Sequence, residues 1–244
     1  MKTLKKSKHR SSRKRSSKKR SSKKIKDPPF SKKRHVGSDA TEGLIQYHYQ
    51  YYTNITDYIV HLCDTKKALS NKICLLENPI EATITFDQTN VKKGICPKDI
   101  SRSRFIDFIK TCVATPNTYF IPILLETVKK KENHANIILI DIRKKQIELF
   151  EPHGNRGDDS TLHHIQKAYS KKKKAVNRFF KTFLSDFKLI NVVDEIHQHS
   201  LQSKYDSNSG YCITWSLLYF HYRVLNPRIS YRRIIKHIDK KIKL

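Results

Sequence analysis

The chain predicts an α+β fold behind a basic, disordered arm, and three observations carry that expectation. Residues 1–36 hold 17 Lys+Arg against one acid, Asp27. From Thr41 to about Cys112 the apolar residues recur mostly at helical spacing. After Pro116 they fall instead into short runs rich in Ile, Leu, Val and Phe, the pattern of a small sheet. A length of 244 residues with 37% hydrophobic residues suits one domain plus a tail.

The arm contains a five-residue repeat, Arg10-Ser-Ser-Arg-Lys, Arg15-Ser-Ser-Lys-Lys and Arg20-Ser-Ser-Lys-Lys24, with nothing apolar to bury. It reads as a polyanion-binding arm or nuclear-targeting signal whose serines could be phosphorylated to cancel charge, or else as a solubilising tail without a specific partner. Asp27-Pro-Pro29 and Gly37-Ser-Asp39 mark a linker, so the expected division is a tail over 1–40 and one domain over 41–244, mainly helical to 115 and sheet-bearing from 116.

Within the first part, Ile55, Tyr58, Ile59, Leu62 and Cys63 form one helical stripe, and a second helix is expected around Phe105 to Val113. Tyr47, Tyr49, Tyr51, Tyr52 and Tyr58 suit base stacking or a peptide groove, but equally a core and its rim. Strands are expected at Tyr119 to Leu125, Ala135 to Ile142, Gln146 to Phe150 and Lys188 to Val193. Helices are expected at Thr161 to Phe183, Cys212 to Leu225 and Tyr231 to Lys241. The run Lys171 to Lys174 reads as a solvated helix face rather than a phosphate cradle.

The formal charge of +28 predicts polyanion partners, nucleic acid first and an anionic membrane second, because Lys and Arg beside phosphates release condensed counterions. No run approaches the roughly 20 apolar residues that span a bilayer, and the N-terminus lacks a secretory apolar region. The expectation is an intracellular protein in which the sequon at Asn54 goes unused. Five cysteines, an odd number without close pairs, argue against a disulfide framework and against a CxxC zinc site. His61, Cys63 and Cys74 could hint at a metal, but tetrahedral zinc needs a fourth ligand and none follows.

The chemistry concentrates in two segments. One starts at His134 and closes on Phe150-Glu151-Pro152-His153-Gly154; the other is Asn208-Ser-Gly-Tyr-Cys212-Ile-Thr-Trp-Ser216. A hairpin with its turn centred on Ile142 and Arg143 pairs residues whose numbers sum to 285, which sets His134 opposite Glu151 with Cβ atoms roughly 5 Å apart. The carboxylate would take the imidazole Nδ1 proton and leave Nε2 for a thiol. Asp141, the other acid of the first strand, falls on the opposite face. Ser207 to Gly210 suit a turn into a helix, so Cys212 stands at a helix N-terminus, where the dipole favours thiolate and free N–H groups can hold an oxyanion. The bland reading makes Cys212 a small buried residue and His134 a hydrogen-bonded strand terminus.

These residues resemble the cysteine proteases of the adenovirus-protease and ubiquitin-like-protein-protease superfamily, above all the thiol proteases of giant DNA viruses. Phe150-Glu151-Pro152-His153-Gly154 is similar to the segment that carries the acid, and Gly210-Tyr211-Cys212-x-x-Trp215-Ser216 is similar to the nucleophile segment. The resemblance covers about Tyr119 to Pro227 and implies a papain-like, adenovirus-protease-like core. It implies Cys212 as nucleophile, His134 as base, Glu151 as orienting acid and Gln202 as oxyanion donor, with Gln198 and Asn208 as substitutes. Ala135 stands where the family has Trp, and Ile213 where many members have Gly, so one cleft wall and the oxyanion entrance should differ.

The implied activity is a cysteine endopeptidase that needs no cofactor or metal and processes viral structural precursor polypeptides, in a virion, a virus factory or a host nucleus, with nucleic acid bound through the tail. The alternatives are removal of ubiquitin or SUMO, and a non-catalytic basic DNA-binding virion protein on a protease-like scaffold.

Overall fold

The computed structural model describes residues 24–26, 72–75, 82–129, 132–152, 162–192, 201 and 212–242. Among them, six strands form one mixed sheet: β1 (Thr83–Asp87), β2 (Ile95–Pro97), β3 (Phe120–Lys129), β4 (Glu132–Asp141), β5 (Gln146–Phe150) and β6 (Lys188–Asn191), in the order β2-β1-β3-β4-β5-β6. β1 with β3 and β5 with β6 are parallel, and the other neighbours are antiparallel. Four helices accompany the sheet: α1 (Arg102–Ala114), α2 (Leu162–Lys181), α3 (Cys212–Leu225) and α4 (Tyr231–Ile242).

The sheet is covered on both faces, which is why β4 reads as the unbroken apolar run Ile137-Ile-Leu-Ile140 rather than as an alternation. Ile138 and Ile140 pack with Phe105 and Ile109 of α1 and with Val176, Phe179 and Phe180 of α2. Ile137 and Leu139 pack with Leu217, Tyr219 and Phe220 of α3 and with Ile234 and Ile238 of α4. The result is helix pair, sheet, helix pair. Helix α3 has 11 of its 14 residues buried, as expected of a helix apolar on nearly all sides. Helix α1 starts where Ser101 Oγ accepts from the Arg104 N–H at 3.3 Å, an N-cap worth about 1 kcal/mol.

Of the segment to residue 115, expected to be mainly helical, the described residues include two strands, β1 and β2, ahead of α1. Thr83-Ile-Thr-Phe-Asp87 alternates, burying Ile84 and Phe86, so a period of two governs there. The cysteine arithmetic also needs correction, since Cys74 and Cys112 form a disulfide that ties the strand-like residues near β3 to α1. That bond also withdraws Cys74 from any metal reading; His61 and Cys63 lie outside the described residues, as do the five tyrosines from 47 to 58. Within the expected tail, Ile25 packs on the core, and Asn226 grips the Lys26 backbone at both N–H and C=O, 2.7 Å each. No described helix is long and apolar enough to cross a membrane.

Candidate active site

The β4–β5 hairpin turns differently from the two-residue turn that its sequence suggested. Asp141 Oδ1 accepts from the Lys144 N–H at 3.2 Å, Ile142–Lys144 form a 3-10 turn, and Lys145 takes a left-handed φ of 50°. Four residues are consumed instead of two, so partners sum to 287: Ile137 faces Phe150 and Asp141 faces Gln146. Continuing that register sets Asn136, not His134, opposite Glu151. The slip is even, however, and an even slip keeps every side chain on its face. His134 becomes the diagonal neighbour of Glu151, within reach of long side chains, and the two meet at 2.5 Å.

The atom that meets the carboxylate is Nε2, the reverse of the expected orientation. Nε2 also lies 3.1 Å from Asn136 Nδ2. His134 and Cys212 share a side-chain hydrogen bond, and with Nε2 so engaged, Nδ1 is the ring atom left to the sulfur. Cys212 is the first residue of α3, and its Sγ accepts from the Ala135 backbone N–H at 3.5 Å. Ala135 thus contributes its main chain to the site.

Two partners of the site were not anticipated. Asn136 Oδ1 accepts from Lys172 Nζ at 3.1 Å and from Thr127 Oγ1 at 3.3 Å. Lys172, placed with its neighbours on a solvated face, is 3% exposed and makes an ion pair with Glu151 Oε2. A signal for it exists in the sequence: Tyr169, Lys172, Val176, Phe179 and Phe180 follow helical spacing and make the buried stripe of α2. Asn136 likewise shares the inward parity of Ile138 and Ile140. Asp141 does lie on the other face, where Arg223 Nη2 and Lys144 Nζ bond its Oδ2 at 3.1 and 2.9 Å.

Charges alternate along the cluster. Burial pushes the His134 pKa down, but the Glu151 charge and the hydrogen bonds to Cys212 and Glu151 outweigh it and lift the group from 6.5 to about 9. Burial would raise Glu151, yet Lys172 and His134 hold it far below the usual carboxylate range. Burial likewise opposes ionisation of Cys212, and the His134 bond and charge with the Ala135 N–H bring its thiol below the ordinary cysteine value. The arrangement favours thiolate beside imidazolium, with the sulfur at the N-terminal end of α3.

Gln202, Gln198 and Asn208 lie outside the described residues, as do His153 and Gly154. Among the described residues no group of three or more His, Cys, Asp or Glu is placed to hold a metal ion.

No protein-family model matches this chain, and no curated protein matches it in sequence. Among solved structures it is similar to ChlaDub1 of Chlamydia trachomatis, at 11% identity and a TM-score of 0.31 over 83% of this chain and 90% of that one. It is also similar to the Chlamydia trachomatis effector Cdu1 bound to ubiquitin, at 12% identity and a TM-score of 0.30 over 85% and 93%. A third is the SUMO protease Ulp1 with its catalytic cysteine oxidised to a sulfenic acid, at 13% identity and a TM-score of 0.28 over 86% and 96%. At such scores the likeness adds no weight, and the chemistry rests on the residues themselves.

Proposed function

We propose that the protein is a cysteine-type endopeptidase with a Cys212-His134-Glu151 triad. The observation that carries this is the Cys212 thiol at the start of α3, hydrogen-bonded to an imidazole whose far nitrogen is held by a buried carboxylate. The thiolate attacks a peptide carbonyl carbon, the new C–S bond pushes the carbonyl electrons onto oxygen, and N–H groups of the α3 start receive the oxyanion. His134 gives its Nδ1 proton to the departing amine as the C–N bond breaks. It then takes a proton from water, which attacks the thioester and frees Cys212. Gln202 is proposed as the side-chain oxyanion donor on family resemblance alone.

The substrates proposed are structural precursor polypeptides of a virus, and the partner is nucleic acid. Support for the partner is the tail charge together with a stripe of exposed cations on α2, Lys171, Lys174, Arg178 and Lys181, in a helix without an acidic residue. The Cys74–Cys112 disulfide suits a compartment less reducing than cytosol, such as an assembled particle.

Alkylation of the full chain near neutral pH, followed by peptide mass spectrometry, tests the nucleophile. Cys212 should be labelled far faster than Cys96, and His134→Ala should abolish the difference; equal rates would sink the catalytic reading. Probes ending in the C-termini of ubiquitin and SUMO belong in the same assay, because the same triad can cut an isopeptide bond. Labelling by either would assign modifier removal instead of precursor cleavage.

A further inference from the structure

We propose that Lys172 is a positioning residue of this site, a buried cation that holds Glu151 aimed at His134 and sets the pH window of the Cys212–His134 pair. This rests on the reading of Cys212 as nucleophile. A lysine enclosed to this degree is costly unless its charge and donors are matched, and here they are: Glu151 Oε2 and Asn136 Oδ1 accept from Nζ, which lies 5.4 Å from the centre of the Tyr169 ring. Glu151 divides its two oxygens, Oε2 to Lys172 from α2 and Oε1 to His134 from β4. Asn136 Oδ1 accepts from Lys172 Nζ beside this pair, and its Nδ2 lies 3.1 Å from His134 Nε2. The carboxylate therefore cannot rotate away from the imidazole without breaking the pair behind it.

The charges in sequence are Lys172 positive, Glu151 negative, His134 positive and Cys212 negative, which sums to zero in the ion-pair state. Taking away Lys172 leaves a buried site at minus one. Removing a nearby positive charge raises the proton affinity of every group left, so both limbs of the pH profile must move up: the acid limb, where Cys212 ionises, and the basic limb, where His134 loses its proton. The charge of Lys172 already acts in this sense on His134, opposing the rise that Glu151 causes. The titratable groups facing this cluster from the described elements are His134 on β4, Glu151 after β5, Tyr169 on α2 and Cys212 on α3; Asn136 and Thr127 are neutral. A lysine that merely fastened α2 to the hairpin would affect stability and leave the limbs in place.

The experiment is the rate of Cys212 alkylation by chloroacetamide against pH in the full-length chain, with Cys96 as internal reference. Lys172→Met should move both limbs up by on the order of one pH unit, which makes labelling about tenfold slower at fixed pH on the acid limb. Lys172→Arg, which keeps the charge, should restore the wild-type limbs. Limbs that stay put in a folded Lys172→Met protein would overturn the proposal. Should that variant not fold, Glu151→Gln is compared with Glu151→Gln/Lys172→Met, which leaves no buried carboxylate unpaired; the double variant's limbs should lie higher, and coincident limbs overturn the proposal equally. Ordinary thiol behaviour of Cys212 in the wild-type chain brings down the nucleophile reading and this inference together, whereas a wild-type ion pair with unmoved variant limbs brings down Lys172 alone.

Discussion

At the scale of single residues, the site depends on which proton sits where. Glu151→Gln keeps the shape of the side chain but removes the charge that lifts His134, and it presents either an amide N–H or a neutral oxygen to Nε2. Turnover of a peptide substrate should fall on the order of 10²- to 10⁴-fold, with the basic limb moving down in pH; a variant with the wild-type profile would remove Glu151 from the triad. The same charges act on stability. His134 is raised from 6.5 to about 9, so its contribution is fully present below pH 6.5 and is lost as pH climbs through about 9. Glu151 is depressed, so its contribution holds above its ordinary 4.5 and drains away as pH falls well below that. The melting-temperature gap between wild type and His134→Gln should therefore be widest near pH 5–6 and shrink above pH 9; a gap that grew with pH would contradict the raised value. The meeting of Cys212, His134 and Glu151 was legible in the sequence because each carries a type and a place: a thiol after a turn, and an imidazole and a carboxylate on one hairpin face. Lys172 was not, because it stands among four consecutive lysines, and only the phase of the α2 stripe shows which one turns inward.

At the scale of elements, the question is what holds a helix start against a strand end. Cys212, Tyr219 and Arg223 lie on one side of α3, at intervals of seven and eleven residues. Tyr219 Oη donates to Glu148 Oε2 at 2.6 Å and its ring stacks on Phe150 at 4.5 Å. Arg223 forks onto Glu148 at 2.8 and 2.9 Å and reaches Asp141 and the Ile229 carbonyl. The helix covers about 16 Å from Cys212 to Arg223, and β4 about 20 Å from Ala135 to Asp141. Pinning the far end at Asp141 and Glu148 thus brings the near end to Ala135. Arg223→Ala would leave the buried Glu148 without its cation and Asp141 with Lys144 alone, and a loss of about 3–5 kcal/mol is expected in denaturant unfolding. Arg223→Lys should recover part of that, since a lysine cannot make the bidentate fork; full recovery would mean that charge without geometry suffices. The strands from β3 to β6 and the three later helices could be read from period and punctuation. Strands β1 and β2 could not, because five and three residues are too few for a period to stand out, and their pairing with β3 and with each other is settled by contacts distant in sequence.

At the scale of the whole molecule, charge is concentrated in the first part of the sequence. Residues 1–23 carry 12 Lys+Arg and no acid. Just after them Ile25 packs on the core, and Asn226 holds Lys26 at the corner between α3 and α4. The Asn226 side chain also donates to the Tyr222 carbonyl at 3.0 Å, so the clamp is continuous with the helix that begins at Cys212. Two truncations should then behave differently. Removing residues 1–23 takes away 12 cations and spares the clamp: affinity for duplex DNA should drop, the slope of log K against log salt should flatten by several units because each phosphate contact contributes roughly −0.9, and peptide cleavage should stay at the wild-type rate. Removing residues 1–36 takes the clamp as well. It strips Ile25 from the core and leaves the Asn226 amide without the Lys26 partners, so a lower melting temperature should accompany the same loss of DNA binding. Equal DNA affinity for the full chain and the 24–244 protein would place the polyanion surface on the body, where Lys171, Lys174, Arg178 and Lys181 line the exposed side of α2. Charge reversal of those four in the truncated chain would then be the step that abolishes binding.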